Sequence, residues 1–446
     1  MRLLGIIALT VFFFSTTPAE AINRYVRSAA AGANNGTDWN NAYTSLPATL
    51  VRGDTYYIAS GTYAGRTFNT AASGTALITI KGATIAEHGT DTGWMSAMSV
   101  SSADGGAQAI FTSGLAFNTS YWIFDGAVGP VGSRVTTDYG FKINPVNFAV
   151  QVFNLSSAIT NIMISHISAV APAGDVEKFF LSTSNSTKSV HNVTLSHCLL
   201  NGWGNAMCAT SAGLAMNDWL VEYNIILNGF SSAANHGEDI NNNYGNLIRL
   251  VVRYNVFEGR SSGTATITVL NAPAGPYYIY GNVFKNQTAG DGTIACIHDN
   301  LEAYIYNNVF ANLSGGPPLG GSSSDCIMTG ESANNLYYNT SAARGSGVMV
   351  TSHHNAYFNT TNTPAGESNS YVATGNPFVD YINGNFRLSS MIASALPTGF
   401  TLGTPYDRDM FGNLRGVGAW SRGALQFLSG GLPPSPPKAP TSLRIQ

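Results

Sequence analysis

A short frame opening on asparagine or histidine recurs along the second half of this chain, and it restricts the possible folds more than any other feature. Asn308-Val309-Phe310-Ala311-Asn312 is echoed by Asn335-Leu336-Tyr337-Tyr338-Asn339 and by Asn355-Ala356-Tyr357-Phe358-Asn359. Further copies start at Asn282, Asn255 and Asn224, at His197 and, more faintly, at His166. Successive starts lie 31, 27, 31, 27, 26, 27 and 20 residues apart. Their mean, about 27, falls within the span of stacked solenoid repeats.

Each frame follows a β-branched or aromatic run, such as Leu250-Val251-Val252, Tyr277-Tyr278-Ile279-Tyr280 or Ala303-Tyr304-Ile305-Tyr306. Runs of this kind are strands, and no apolar stripe at helical spacing accompanies them. One repeat then reads as a strand, an asparagine corner, a second strand, a Gly/Ser-rich loop and a third strand. This is one turn of a parallel β-helix. Asparagine at the corner tolerates the left-handed backbone, and its amide can bond to the copy above it as a ladder. Two residues on, Phe257, Phe284, Phe310, Tyr337 and Tyr357 stack as an aromatic column, on the inside or the outside of the coil.

Composition agrees with such a stack. The 446 residues are 44% hydrophobic, enough for a large core, yet only 10% are charged, against about 25% in ordinary soluble chains. In a parallel coil like stacks on like, so repeated charges repel while repeated amides and rings reinforce one another. A net charge of −3 without a basic run leaves no electrostatic footprint for nucleic acid or an anionic membrane.

The ends differ from the middle. Residues 1–21 join Arg2 to an apolar stretch from Leu3 to Phe14 and a small-residue exit at Ala19 and Ala21, the pattern of a cleaved secretory signal peptide. The stretch is too short to cross a bilayer, which takes about 20 apolar residues. Residues 22–75 read as a cap with the first strands, 76–428 as the β-helix, and 429–446, rich in proline, as a disordered tail or linker. Export permits disulfides, but Cys198, Cys208, Cys296 and Cys326 allow three pairings, a local Cys198–Cys208 bridge among them, and buried free thiols are equally compatible.

Two further segments carry a family resemblance. Tyr25-Val26-Arg27, Asn34-Asn35-Gly36-Thr37-Asp38-Trp39-Asn40-Asn41-Ala42-Tyr43 and Gly53-Asp54-Thr55-Tyr56-Tyr57-Ile58 resemble the amino-terminal cap of secreted right-handed β-helix proteins of the pectate-lyase-like superfamily. The closing Asp407-Arg408-Asp409-Met410-Phe411-Gly412-Asn413 is similar to the terminal motif of many of them. The resemblance implies an all-β, right-handed parallel β-helix. It does not fix a reaction, because that superfamily holds lyases, hydrolases, epimerases and adhesins.

The densest charged run, His236-Gly237-Glu238-Asp239-Ile240-Asn241-Asn242-Asn243, resembles the calcium-binding strand of chondroitinase B and related alginate lyases. The resemblance implies Glu238, Asp239 and Asn241 as oxygen ligands for Ca²⁺, with His236 beside them. In such enzymes Ca²⁺ neutralises the uronate and a basic residue removes the adjacent proton. This chain departs from the pattern: Asn242, Asn243 and Tyr244 stand where the base lysine is expected, and the next coil carries the uncharged run Thr264 to Val269. Adjacent Glu238 and Asp239 on one strand also face opposite sides.

Other candidates complete the set. His298 and Asp299 with Glu302 fall two coils on, about 10 Å along the stack, where His236 with His298, or Asp239 with Asp299, could line one groove. Lys285 and Arg260 are candidate bases. Arg249 and Arg253, evenly spaced on a strand, are candidate clamps for uronate carboxylates. The expected function is a secreted, monomeric polysaccharide lyase acting on an acidic polysaccharide by β-elimination. The alternatives are a non-catalytic carbohydrate-binding surface protein and a glycoside hydrolase whose Trp203 and Trp219 stack sugars.

Overall fold

The computed structural model describes residues 21–144, 148–153, 158–172, 178–183, 189–210, 215–229, 237–243, 246–261, 263–270, 274–288, 290–298, 300–321, 326–416 and 420–427. Residues 1–20 of the expected signal peptide, His236, Asp299 and the proline-rich tail lie outside them. Nearly all described strands fall into three parallel sheets of 13, 12 and 9 strands, wound as the expected parallel β-helix. One coil runs through Leu250–Arg253 in the first sheet, Val256–Glu258 in the second and Ala265–Leu270 in the third. The next coil repeats this at Ala274–Tyr280, Val283–Gln287 and Gly292–Cys296. Leu250 pairs with Tyr277, Val256 with Val283 and Ile267 with Ile294, the same 27-residue offset in every sheet. The repeat read from the sequence is therefore the circumference of the coil.

The corner between the first and second sheets holds the stack together. Asn224, Asn255, Asn282, Asn308 and Asn335 are buried, and each donates its backbone N–H and its Nδ2 to Oδ1 of the asparagine one coil on, over 2.8–3.1 Å. From Asn255 to Asn335, Nδ2 also reaches a backbone carbonyl of the preceding coil, from Val221 to Ile305. The ladder starts at the Cys198 N–H and ends on Glu367, whose Oε1 accepts from both N and Nδ2 of Asn355 at 3.0 Å. Every buried amide in it is used as donor and acceptor, the condition under which buried polar groups stabilise rather than cost.

One detail differs from the sequence expectation. The left-handed residue is the one before the ladder position: Tyr223, Tyr254, Asn307, Asn334 and His354 before asparagines, and His197 before Cys198, have φ between 52° and 59°. The ladder asparagine itself must turn its side chain along the stack, so its neighbour makes the bend. Histidine and tyrosine at such angles carry strain of about 1 kcal/mol or more. It is offset by ring contacts between coils, with centroids 5.0 Å apart for His166 and His197, 4.8 Å for His197 and Tyr223, and 5.1 Å for Tyr223 and Tyr254. The asparagines that close the frames, Asn286, Asn312, Asn339 and Asn359, adopt this backbone as well, and Asn339 bonds to Asn312 and Asn312 to Asn286 at 2.8 Å.

The aromatic column is internal. Phe257, Phe284, Phe310, Tyr337 and Tyr357 are buried and stack at 5.0–5.1 Å, each contact contributing about 0.5–1.5 kcal/mol beyond burial. Trp203 and Trp219 are also core residues, so neither can stack a sugar. On the outside, the carboxy-terminal segment covers the second sheet: Phe378, Phe386, Leu388, Met410 and Leu425 pack against Val256, Val283, Val309 and Leu336. Asp409 fixes that segment by accepting from the Phe411, Asn413 and Gln426 N–H groups. Cys296 bonds to Cys326, while Cys198 and Cys208 are buried free thiols, so the local bridge does not form.

The two asparagine columns should respond differently to mutation. Asn335→Ala leaves Asn308 without its acceptor inside the corner and should cost about 1–3 kcal/mol, read as a lower urea midpoint. Asn339→Gly, which keeps the left-handed backbone at the surface, should cost under about 1 kcal/mol.

Candidate functional site

The Glu238 cluster sits where the chain enters the third sheet, just before Ile240–Asn243. Glu238 and Asp239 are only 1% and 2% exposed and turn to different partners. Glu238 Oε2 accepts from Asn241 Nδ2 at 2.7 Å, and its backbone carbonyl accepts from Asn205 Nδ2 at 2.7 Å. Asp239 pairs with Arg260, itself 1% exposed, whose guanidinium also donates to the carbonyls of Gly204 and Gly237. Gly229 makes this possible, because a Cβ there would lie 2.7 Å from Asp239 Oδ1 and closer still to Arg260 Nη2. The pair works as an internal staple between the turn leaving the second sheet and the start of the third.

Among the described residues this donor set falls short of what Ca²⁺ takes. A hard cation takes six to eight oxygens, several of them carboxylate, whereas Asp239 is neutralised by a buried guanidinium and Glu238 supplies the remaining carboxylate. Among the described residues no group of three His, Cys, Asp or Glu side chains is placed to hold a metal.

Lys285 and His298 lie apart from this cluster and from each other. Lys285 is buried on the second sheet, where Nζ donates to the Tyr381 and Ile382 carbonyls, lies 3.5 Å from Glu258 and sits over the Tyr381 ring. His298 is exposed beyond the end of Gly292–Cys296. Since Ile240, Ile267 and Ile294 are in register, His298 is six residues along the strand direction from the level of Glu238, roughly 20 Å at 3.3 Å per residue. The two candidate clusters therefore occupy opposite ends of the third sheet.

Arg249 and Arg253 both reach the outer face of the first sheet and meet carboxylates of the preceding coil. Arg249 grips Asp218 through Nε and Nη2, and Arg253 Nε bonds Glu222 Oε2 at 2.6 Å while Nη1 reaches the Tyr280 hydroxyl at 3.0 Å. Burial works against the charge on Arg253, but Glu222 and Tyr280 outweigh it and raise its pKa above the ordinary value. The forks that could hold a uronate are filled by the protein's own carboxylates.

A cluster not anticipated from the sequence lies further along the same face. Tyr278 and Tyr304, half-buried, stack at 5.5 Å with 13° between their planes, and the Tyr304 hydroxyl donates to Glu302 Oε1 at 2.9 Å. Two residues on along the same face Tyr280 and Tyr306 are buried, and Tyr406 from the carboxy-terminal segment stands edge-on to both at 4.8 and 4.9 Å. Tyr306 donates to Glu331 Oε2 at 2.5 Å, and His353 Nε2 lies 2.7 Å from Glu331 Oε1. Partial burial would raise the Glu331 pKa, but the bonds from His353 and Tyr306 hold it below the usual carboxylate value. The signal was present in the sequence: Tyr278 and Tyr280 recur as Tyr304 and Tyr306, with alternation that turns both pairs outward.

No family model matches the chain, and no curated protein matches it. Among solved structures, pectate lyase Pel9A is similar at 16% identity and a TM-score of 0.41, over 92% of this chain and 97% of that one. The PL6 family alginate lyase AlyGC is similar at 12% identity and 0.31, over 80% and 55%. The GH136 lacto-N-biosidase from Eubacterium ramulus is similar at 12% and 0.34, over 79% and 66%. None of these likenesses is close enough to carry a substrate or a reaction over to this chain.

Two measurements test the local chemistry. Arg260→Met strands a buried carboxylate and should cost about 3–5 kcal/mol, most of it recovered in the Arg260→Met/Asp239→Leu double variant, with urea titration as the readout. Because the folded Glu331 pKa is depressed, its contribution to stability is present above the ordinary carboxylate pKa of 4.5 and disappears as pH falls through the lowered value. Glu331→Gln should flatten that part of the melting temperature against pH curve.

Proposed function

We propose that this chain is an extracellular, carbohydrate-active β-helix protein that engages polysaccharide along the side of its solenoid. The observation that decides the class of polysaccharide is the state of the four candidate cations. Arg249, Arg253, Arg260 and Lys285 each face a carboxylate, of Asp218, Glu222, Asp239 and Glu258 respectively. Arg260 and Lys285 are also buried. A uronate chain needs unpaired cations or a metal for its carboxylates, and β-elimination needs a base able to reach the sugar. A neutral glycan needs neither, only hydroxyl partners and ring contacts, which suits a surface rich in amides, hydroxyls and tyrosines. A lyase acting on an acidic polysaccharide is the second reading, favoured by the Gly237-Glu238-Asp239-Ile240 run.

Incubation of the mature protein with pectate, alginate, chondroitin and neutral glycans, with and without Ca²⁺, separates the two. The expected result is binding to a neutral glycan with no ultraviolet-absorbing unsaturated product from any uronate. Calcium-dependent formation of such a product, lost in Asp239→Ala, would establish the lyase reading instead.

A further inference from the structure

We propose that the tyrosine cluster on the first sheet is the glycan-binding site, and that its ligand is a neutral, hydroxyl-rich sugar chain; this rests on the polysaccharide reading above. The register of the sheet makes the cluster an exception to its own row. Thr55 pairs with Thr79, Thr79 with Ile123, Thr194 with Leu220, and Glu331 with Thr351, so the row holds small or aliphatic residues along most of its length. Among the described residues it carries tyrosines on two successive coils, Tyr278 and Tyr304, paired with each other and followed by Glu331.

Packing accounts for Tyr280 and Tyr306 fully and for Tyr278 and Tyr304 only in part. Tyr280 and Tyr306 are covered by Tyr406, whereas Tyr278 and Tyr304 rest against the same cluster and keep an open side, so large rings are held at a position where threonine serves elsewhere. Because the two outer rings stack face to face, they present a ridge of edges and hydroxyls, with the Tyr406 ring beside it. Aromatic surface combined with converging polar groups is the usual make-up of a sugar-sized site.

Charge selects the ligand class. Glu302 is exposed and accepts from the Tyr304 hydroxyl, and Glu331 is held ionised by His353 and Tyr306. Ionised carboxylates accept from sugar hydroxyls in strong hydrogen bonds. They repel a uronate, and the nearby Arg253 is already bound to Glu222. A neutral glycan satisfies both conditions.

The test is affinity gel electrophoresis of the mature protein against soluble xylan, galactomannan, mixed-linkage β-glucan and polygalacturonate. Wild type should be retarded by a neutral glycan and not by polygalacturonate. Tyr278→Ala/Tyr304→Ala should weaken that retention at least about tenfold with the melting temperature preserved, and Tyr304→Phe should weaken it less. Equal retention of wild type and the double variant would overturn this site while leaving the polysaccharide reading intact. Retention by polygalacturonate alone would overturn the neutral ligand class, and retention by no glycan would remove both proposals.

Discussion

The buried amide ladder is the interaction on which the second half of the stack depends. It runs from the Cys198 N–H through Asn224, Asn255, Asn282, Asn308, Asn335 and Asn355 to the Glu367 carboxylate. Each link locks one coil against the next with a single register, because a slip by one residue would leave a buried amide without a partner. Once register is fixed, everything else is stacked by it: the internal rings of Phe257 to Tyr357, the corner rings of His166 to Tyr254, and the ion pairs between coils.

That fixed register also explains where the charges went. Asp218 and Arg249, and Glu222 and Arg253, are both separated by 31 residues, the same interval as between the Asn224 and Asn255 frames. Glu258 and Lys285 are separated by 27, the interval between the Asn255 and Asn282 frames. A solenoid with little charge can thus place a cation against an anion simply by setting them one coil apart. The outcome is a lateral surface on which those candidate cations are already paired, which is why the geometry turns the functional reading from uronate toward neutral sugar.

The fold was legible in the sequence because stacking repeats the same residues at the same interval, so the period alone reveals the coil. What the period does not reveal is which residue of a frame bends and which side a ring takes. The ladder asparagine gave up the left-handed backbone to its neighbour, and Phe257 to Tyr357 went inside. The site was less legible. Glu238, Asp239 and Arg260 do converge, but as a buried staple that spans 21 residues and not a repeat length, so no interval announces it. The tyrosines at 278, 280, 304 and 306 read as strand formers, since β-propensity and surface function use the same residue type.

Residue-resolved amide hydrogen exchange in an Asn308→Ala variant tests the ladder most directly. Its Asn282 N–H normally donates to Asn308 Oδ1, whereas the neighbouring Val283 N–H donates to the backbone carbonyl of Asn255. Asn282 is expected to lose protection while Val283 keeps it. Unchanged exchange at Asn282 would contradict the ladder as the bond that registers the coils.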